Sequence, residues 1–451
     1  MLNETQLNLI LGTDLRDITA DDVHWKTQDS TATSILFYRI GDGAKALEIF
    51  SQRIKETRFR LLVVNKTHPG LPTESVVIDE AKWPVVQKAM LDVLYPLPDL
   101  KLLALTGTNG KTTTTDLVLQ LGSLLGKKGL SIGTLGVREN QRTILDFGLT
   151  SPSFIDLRKF LHLYGADKDF CVLEASSHAL VQSRLYGLWF DSAGWLSFSQ
   201  DHLDYHLSME AYFQAKCLIF TALKKNAKLF VPANQTELFS RLEKVSSAVS
   251  KARSVDQTLP LFFSTQFNKN NLSVAAAMIT DVYQMELPRN LDQLTSPDGR
   301  FNVSAYESNL IVVDFAHTPD ALENICRGIK ESFPRHSLKV LFGCGGDRDR
   351  TKRPLMGAIV EKWADEIYVT SDNPRSEDPA QIIQDIMQGI KLKTAHQIID
   401  RREAVRRAFS ELTQNQVLLL AGKGHEDYIL MKGIKHPYSD LKEVEAFLSR
   451  K

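Results

Sequence analysis

Along the chain, short runs of consecutive apolar residues alternate with longer stretches whose apolar positions recur at helical spacing. The runs Lys101–Leu105 and Phe170–Leu173 predict buried strands, and Leu310–Val313, Lys339–Phe342, Glu366–Thr370 and Val417–Ala421 predict a second set. The stretches between them are long enough for crossover helices; Asp116–Leu125 is one segment with helical spacing, and Trp83–Tyr95 is another. Buried strands separated by helices argue for parallel sheets, so the expected fold class is α/β. In such sheets ligand groups gather at the carboxyl ends of strands. The polar motifs of this chain fall there.

Two joints interrupt the pattern. Tyr95-Pro96-Leu97-Pro98-Asp99 ends a small N-terminal α/β unit, and Ser296-Pro297-Asp298-Gly299-Arg300 precedes the third set of strands. The expected domains are therefore residues 1–98, 99–298 and 299–451. A chain of 451 residues, 43% hydrophobic and 24% charged, supports this: each domain is long enough to bury a core without disulfides or structural metal. Its 54 Lys+Arg balance 54 Asp+Glu, which removes a global pull toward nucleic acid or anionic membrane and leaves small molecules as the default partners. Cys171, Cys217, Cys326 and Cys344 show no metal-ligand spacing and fit a reduced, cytoplasmic compartment. The N-terminus lacks the charged region of a secretory signal, and no apolar stretch nears the ~18 residues of a membrane span.

The segment after Leu105 carries the clearest chemistry. Thr106-Gly107-Thr108-Asn109-Gly110-Lys111-Thr112-Thr113 links a predicted strand to a predicted helix, as a phosphate cradle does. Glycines let backbone N–H groups approach phosphates, the helix N-terminus adds partial positive charge, Lys111 reaches the outer phosphates and the Thr112 hydroxyl can ligate Mg²⁺. The strict P-loop pattern is not met, because Leu105 stands where its first glycine belongs.

Further motifs follow: Glu174-Ala175-Ser176-Ser177-His178 through Gln182 and Arg184, Asp201-His202-Leu203-Asp204-Tyr205-His206, Ala215-Lys216, Phe267-Asn268 with Asn271, and Gly299-Arg300-Phe301. Beyond them come Asp314 to Asp320, Gly343 to Asp349, Asp372-Asn373-Pro374-Arg375, and Gly422-Lys423-Gly424-His425-Glu426-Asp427. Together these segments resemble the Mur ligases, and within them the MurE group, densely over about residues 100 to 445 and only in outline before that. The resemblance implies a three-domain architecture with a central P-loop-type parallel sheet and a Rossmann-like C-terminal domain. It also implies an ATP-dependent amide ligation: a carboxylate of UDP-N-acetylmuramoyl-L-Ala-D-Glu is phosphorylated, and the amine of an amino acid then attacks the acyl phosphate. ATP and Mg²⁺ are the implied cofactors, and the chain is expected to act as a monomer.

The resemblance assigns Glu174 and Thr112 to one Mg²⁺ and His202, with a carbamylated Lys216, to a second; Lys111, His202 and Lys216 are the catalytic candidates. Glu174 and Asp314 each end an apolar run, which independently suits a metal ligand and a ribose contact. Asn271 resembles the adenine contact and Arg300 a phosphate or ribose contact, with an interdomain salt bridge as the plainer alternative. For the nucleotide-sugar peptide the candidates are Ser30, Thr150, Ser151, Ser176, Gln182 and Arg184. Thr150 and Ser151 precede a predicted helix, so their hydroxyls either cap it or bind the substrate's anionic groups. Thr31 stands where the family usually has arginine, Gln200 where arginine is common, and Asn302 where glutamate often follows.

Asp372, Asn373, Pro374 and Arg375 resemble the form found in members that add meso-diaminopimelate. Physics agrees, since that amino acid has a second carboxylate at its far end and burying it requires a fixed cation, ideally a forked guanidinium. Arg348 resembles a second contributor to the same pocket. Gly422 and Glu426 would meet the far amino-acid head group through a backbone carbonyl and a carboxylate. A lysine-adding ligase, a folylpolyglutamate synthase-like ligase and a nucleotide-switched binding protein remain the alternatives.

Overall fold

Three large sheets follow one another along the chain, with a two-stranded hairpin, Tyr428–Met431 and Ile434–Pro437, after the third, in a computed structural model that describes residues 1–449. The first is four parallel strands in sequence order, Asp22–His24, Ser34–Tyr38, Leu61–Val64 and Ser75–Val77. One face packs on helix Trp83–Leu94, and its core is completed by Phe154 and Ile155 of a helix that comes much later in sequence. Each such apolar side chain taken out of water stabilises the packing by roughly 1.5–3 kcal/mol.

The second sheet has eight strands, ordered Val249–Ala252, Leu223–Pro232, Phe190–Trp195, Lys101–Thr106, Phe170–Glu174, Gly129–Gly133, Gly136–Glu139 and Arg142–Leu145. Its first six strands are parallel, and an antiparallel meander closes the far edge. Helices Lys111–Leu124 and Gln266–Tyr283 cover one face. The third sheet runs Asn302–Tyr306, Asn309–Asp314, Gln416–Ala421, Ser337–Phe342, Glu366–Thr370 and Ala395–Ile398, all parallel except its first strand. One apolar cluster is continuous from Leu103 and Leu272 through Phe301 to Val340, so the second and third sheets share a packed boundary.

Two local expectations shift. The helix predicted from Asp116 begins at Lys111, because Thr112 to Thr115 are buried and the polar residues hide the apolar face there. The helix after Thr150 starts at Phe154, and its cap is Ser153, whose side chain accepts from the Asp156 amide at 3.1 Å. The Thr150 and Ser151 hydroxyls are therefore not used as its cap.

Candidate active site

The loop Gly107–Gly110 leaves the central strand Lys101–Thr106 and turns into helix Lys111–Leu124 through Gly110, which sits at φ 90°. A Cβ at Gly110 would stand 2.5 Å from Asn271 Oδ1, so glycine is required both by the backbone and by the close approach of Asn271. The Thr108 amide donates to the Ser197 carbonyl at 3.0 Å and the Asn109 amide to Ser197 Oγ at 3.0 Å. Lys111 Nζ donates to the Gly107 and Thr108 carbonyls at 2.8 and 3.0 Å. Thr113 is buried beside Thr112 in the first turn of the helix.

Glu174 ends the neighbouring strand and is 2% exposed. Its carboxylate accepts from Thr112 Oγ1 at 3.2 Å, from the Thr134 amide at 2.8 Å and from Thr134 Oγ1 at 3.2 Å. Burial raises its pKa against the opposing pull of Lys111, the Thr134 amide and Arg300. Arg300, from the third unit, donates to Thr112 Oγ1 at 3.4 Å while its guanidinium lies 4.5 Å from the Phe315 ring centre. Asp314 accepts the Phe301 amide at 2.8 Å and the Ala316 amide at 2.7 Å, one on each oxygen, and so fixes the turn that carries Arg300.

Lys216 lies on helix Met209–Cys217 and is 1% exposed. Its ammonium donates to the Gly107 carbonyl at 2.9 Å and lies 4.7 Å from the Tyr212 ring centre. Burial, with Lys111 nearby, pushes its pKa well below the ordinary lysine value, and Asp201 opposes the shift. His202 holds a left-handed backbone, φ 54°, and its ring meets His178 edge-on at 4.9 Å. Its pKa falls to about 4, from burial first and then from His178, Lys111 and Lys216, with Asp201 opposing. Lys216 thus stands against the loop, and His202 reaches it through Tyr212, whose ring lies 6.0 Å from the imidazole and whose hydroxyl lies 3.3 Å from Thr108 Oγ1.

A row of hydroxyls runs away from Glu174. Thr134 Oγ1 meets Thr150 Oγ1 at 3.2 Å, and Ser151 Oγ donates to the Glu174 carbonyl at 2.7 Å and lies 3.0 Å from Ser176 Oγ. Arg184 continues the row, donating to the Ser151 carbonyl at 2.7 Å and to Gln182 Oε1 at 2.7 and 3.0 Å. These five residues, Thr150, Ser151, Ser176, Gln182 and Arg184, form one connected surface beside the loop. Ser30 does not join it: its hydroxyl pairs with Ser34 Oγ at 3.1 Å in the first sheet's unit.

The other cluster lies at the carboxyl ends of the third sheet. Asn373 donates to Glu426 Oε2 at 2.8 Å and accepts from Lys423 Nζ at 3.0 Å and from the Leu430 amide at 2.8 Å. Lys423, 0% exposed, also meets Glu426 Oε2 at 2.8 Å and Asp372 Oδ1 at 3.4 Å. Past buried Pro374, Arg375 takes φ 53°; its amide donates to the Leu430 carbonyl at 2.9 Å and its Nη1 to the Gly346 carbonyl at 2.7 Å. Exposed Arg348 lies close by: a Cβ on Gly345 would stand 2.7 Å from Arg375 Nη1 and 3.8 Å from Arg348 Cγ. Gly422, at φ 109°, borders Asp372.

Sequence reasoning gave no role to Lys423, Asp320, Asp201 or His178, although all four lie inside the motifs it singled out. Asp320 accepts from Asn109 Nδ2 at 2.6 Å and Ser199 Oγ at 2.8 Å, and Lys352 lies 3.6 Å from Asp201; both contacts join the second unit to the third.

A glycine loop at a strand end, a buried carboxylate against it and an arginine brought over it from a second α/β unit define a class: phosphate-loop proteins whose site is completed across a domain boundary. Within that class the chain belongs to the Mur ligase family, matching the Mur ligase middle domain over residues 105–285 and the Mur ligase, glutamate ligase domain over 299–424. It is 31% identical to UDP-N-acetylmuramoyl-L-alanyl-D-glutamate–2,6-diaminopimelate ligase 1 of Clostridium acetobutylicum, over 98% of this chain and 97% of that one. It is 38% identical to the corresponding ligase of Ectopseudomonas mendocina over 78% of this chain and 79% of the relative. A solved structure of such a ligase superposes with a TM-score of 0.63 and 26% identity, covering 100% of this chain and 99% of the other.

Proposed function

We propose that the chain is an ATP-dependent ligase that adds meso-diaminopimelate to UDP-N-acetylmuramoyl-L-Ala-D-Glu, in three domains with limits near residues 98 and 298. A substrate carboxylate oxygen attacks the γ-phosphorus of ATP and ADP leaves; the amine nitrogen then attacks the acyl carbon, phosphate leaves and the amine gives up a proton. Phosphoryl transfer between anions asks mainly for positioning and for positive charge. Loop amides 107–113, Lys111 and Arg300 supply both to ATP, with Asn271 on the adenine side and Asp314 on the ribose side.

The Glu174 carboxylate beside the Thr112 hydroxyl is a hard-oxygen donor set that fits Mg²⁺, and Mg²⁺ held there would neutralise phosphate charge. Lys216 stands at the loop as a buried amine that donates to the Gly107 carbonyl. Reaction of that amine with CO₂ forms an N–C bond, releases a proton and leaves a carboxylate, which with His202 would suit a second divalent ion. The row Thr150, Ser151, Ser176, Gln182 and Arg184 receives the muramoyl peptide and Ser30 the uridine end. Arg375 and Arg348 take the far carboxylate of diaminopimelate, and Gly422 and Glu426 take the rest of that far amino-acid head group. We assign the enzyme to the cytoplasm as a monomer; its four unpaired, buried cysteines suit a reducing compartment.

The observation that carries the reading is the knot of Asp372, Asn373, Lys423 and Glu426, which leaves the Arg375 guanidinium on the Gly346 carbonyl beside Arg348. A fixed fork in that position matches a carboxylate, and lysine has none at its far end. Phosphate release and product mass are measured with UDP-N-acetylmuramoyl-L-Ala-D-Glu plus diaminopimelate, lysine or no amino acid. Ligation with diaminopimelate alone is expected; equal turnover with lysine removes the specificity, and ligation of a folate substrate instead removes the reading.

A further inference from the structure

The segment that crosses from the second unit to the third, residues 295–302, lies along the phosphate-loop helix rather than hanging free. At one end Gln120 makes a two-way clasp on the backbone of Thr295: its Nε2 donates to the Thr295 carbonyl at 2.9 Å, and its Oε1 accepts the Thr295 amide at 3.0 Å. At the other end Arg300 reaches Thr112, eight positions back toward the start of the same helix. Between them on the helix stands Asp116, buried, with its pKa raised first by that burial. Contacts therefore descend the helix in step, Thr295 on Gln120 and Arg300 on Thr112.

The lengths agree. A helix rises about 1.5 Å per residue, so Gln120 stands about 12 Å from Thr112 along the axis. Five residues of extended chain reach at most about 18 Å, and here they are shortened by a turn in which the Arg300 amide donates to the Pro297 carbonyl at 3.1 Å. Asn302 closes that turn from within: its Oδ1 accepts the Gly299 amide and its Nδ2 donates to Ser296 Oγ at 2.7 Å. Gly299 leaves no slack on the far side, because a Cβ there would stand 1.9 Å from the His425 amide nitrogen.

The clasp is itself braced. Gln120 Nε2 also donates to Asp116 Oδ2 at 2.6 Å, and Asp116 is ion-paired with Arg138, both residues buried. An amide held by three bonds in a buried setting has one orientation, so the register of the strap is set by the helix that forms the phosphate site.

We infer that Gln120 is a positioning residue that, with Asn302, sets the register of the 295–302 strap so that Arg300 is delivered to the bound nucleotide. This rests on the ligase reading above for the identity of that nucleotide. The helix is thereby both the floor of the site and the gauge for its roof.

The test is a double-mutant cycle on nucleotide affinity, read with AMPPNP and Mg²⁺ on the full chain. Gln120→Met keeps the side-chain length and removes the clasp, and it is expected to weaken binding about ten-fold. In an Arg300→Ala background the same change is expected to add nothing, because the group it positions is gone. Asn302→Ala, which leaves the helix untouched, repeats the cycle and carries it if Gln120→Met does not fold. An equal fold-loss in both backgrounds, or unchanged affinity in both single variants, overturns the inference. Ligation assayed on the unsubstituted chain separates failure of the ligase reading from failure of the strap.

Discussion

At the scale of single residues the most consequential group is Arg375. Its backbone is pinned to the hairpin Tyr428–Met431 and Ile434–Pro437 on both sides, the amide on the Leu430 carbonyl and the carbonyl on the Lys432 amide. The guanidinium starts from a fixed point and is directed across Gly346. A hydrogen bond to a charged partner is worth about 1.5–3 kcal/mol, and each 1.4 kcal/mol is about ten-fold in affinity. Arg375→Ala is therefore expected to raise the KM for diaminopimelate about 10- to 100-fold while the KM for ATP stays unchanged. Relief of an unpaired cation should also narrow the preference over lysine. Steady-state kinetics with each substrate varied in turn decides it; equal changes in both KM values would mean that the arginine only holds the fold.

At the scale of elements, two loops must be held together for Arg348 and Arg375 to share a pocket. The clamp is Glu377, which accepts from Arg353 at 2.8 and 3.1 Å and from the Asp347 amide at 2.6 Å, and is ion-paired with Arg350 at 2.8 Å. The Arg353 bonds lead in pulling its pKa from 4.5 down to about 2. A carboxylate with a depressed folded-state pKa stabilises fully above its unfolded value and loses that contribution as pH falls through the folded one. The stability gap between the wild-type chain and Glu377→Gln should thus be full at neutral pH and close between pH 4.5 and about 2. Thermal unfolding across that range tests it, and a gap that does not change with pH refutes it. Elements of this kind divide sharply in how readable they were. The strand–loop–helix around Gly107 to Thr113 and the apolar runs of both large sheets are written in contiguous residues, so periodicity and glycine placement reveal them. The Gln120–Thr295 clasp joins positions 175 apart and the Asn109–Asp320 contact positions 211 apart, and no local pattern encodes such pairs. Ser151 and Ser153 differ in role although both are hydroxyls before one helix; only the geometry decides which one caps it.

For the whole molecule, the question is what keeps the third unit seated over the loop while a reactive acyl phosphate exists. Apolar packing through Phe267 and Phe301, ring centres 5.6 Å apart, supplies adhesion without direction. Direction comes from Asp320, at the start of helix Pro319–Ser332, which reaches across to Asn109 on the loop and to Ser199. An acid at a helix N-terminus is already favoured by the helix dipole, so the group is held ready with little strain. Two such bonds, each worth about 0.5–1.5 kcal/mol, are enough to shift a closed-to-open ratio about ten-fold. A lid that opens more often admits water, and water competes with the amine for the acyl phosphate. Asp320→Ala is therefore expected to leave ATP cleavage running while amide formation falls behind it. Phosphate and ligated product counted in the same sample should depart from one-to-one, with phosphate in excess. A variant that slows both equally and keeps the ratio would place Asp320 in binding rather than in closure, and the seating of the third unit would then rest on the apolar boundary with the Lys352–Asp201 and Arg300–Thr112 contacts.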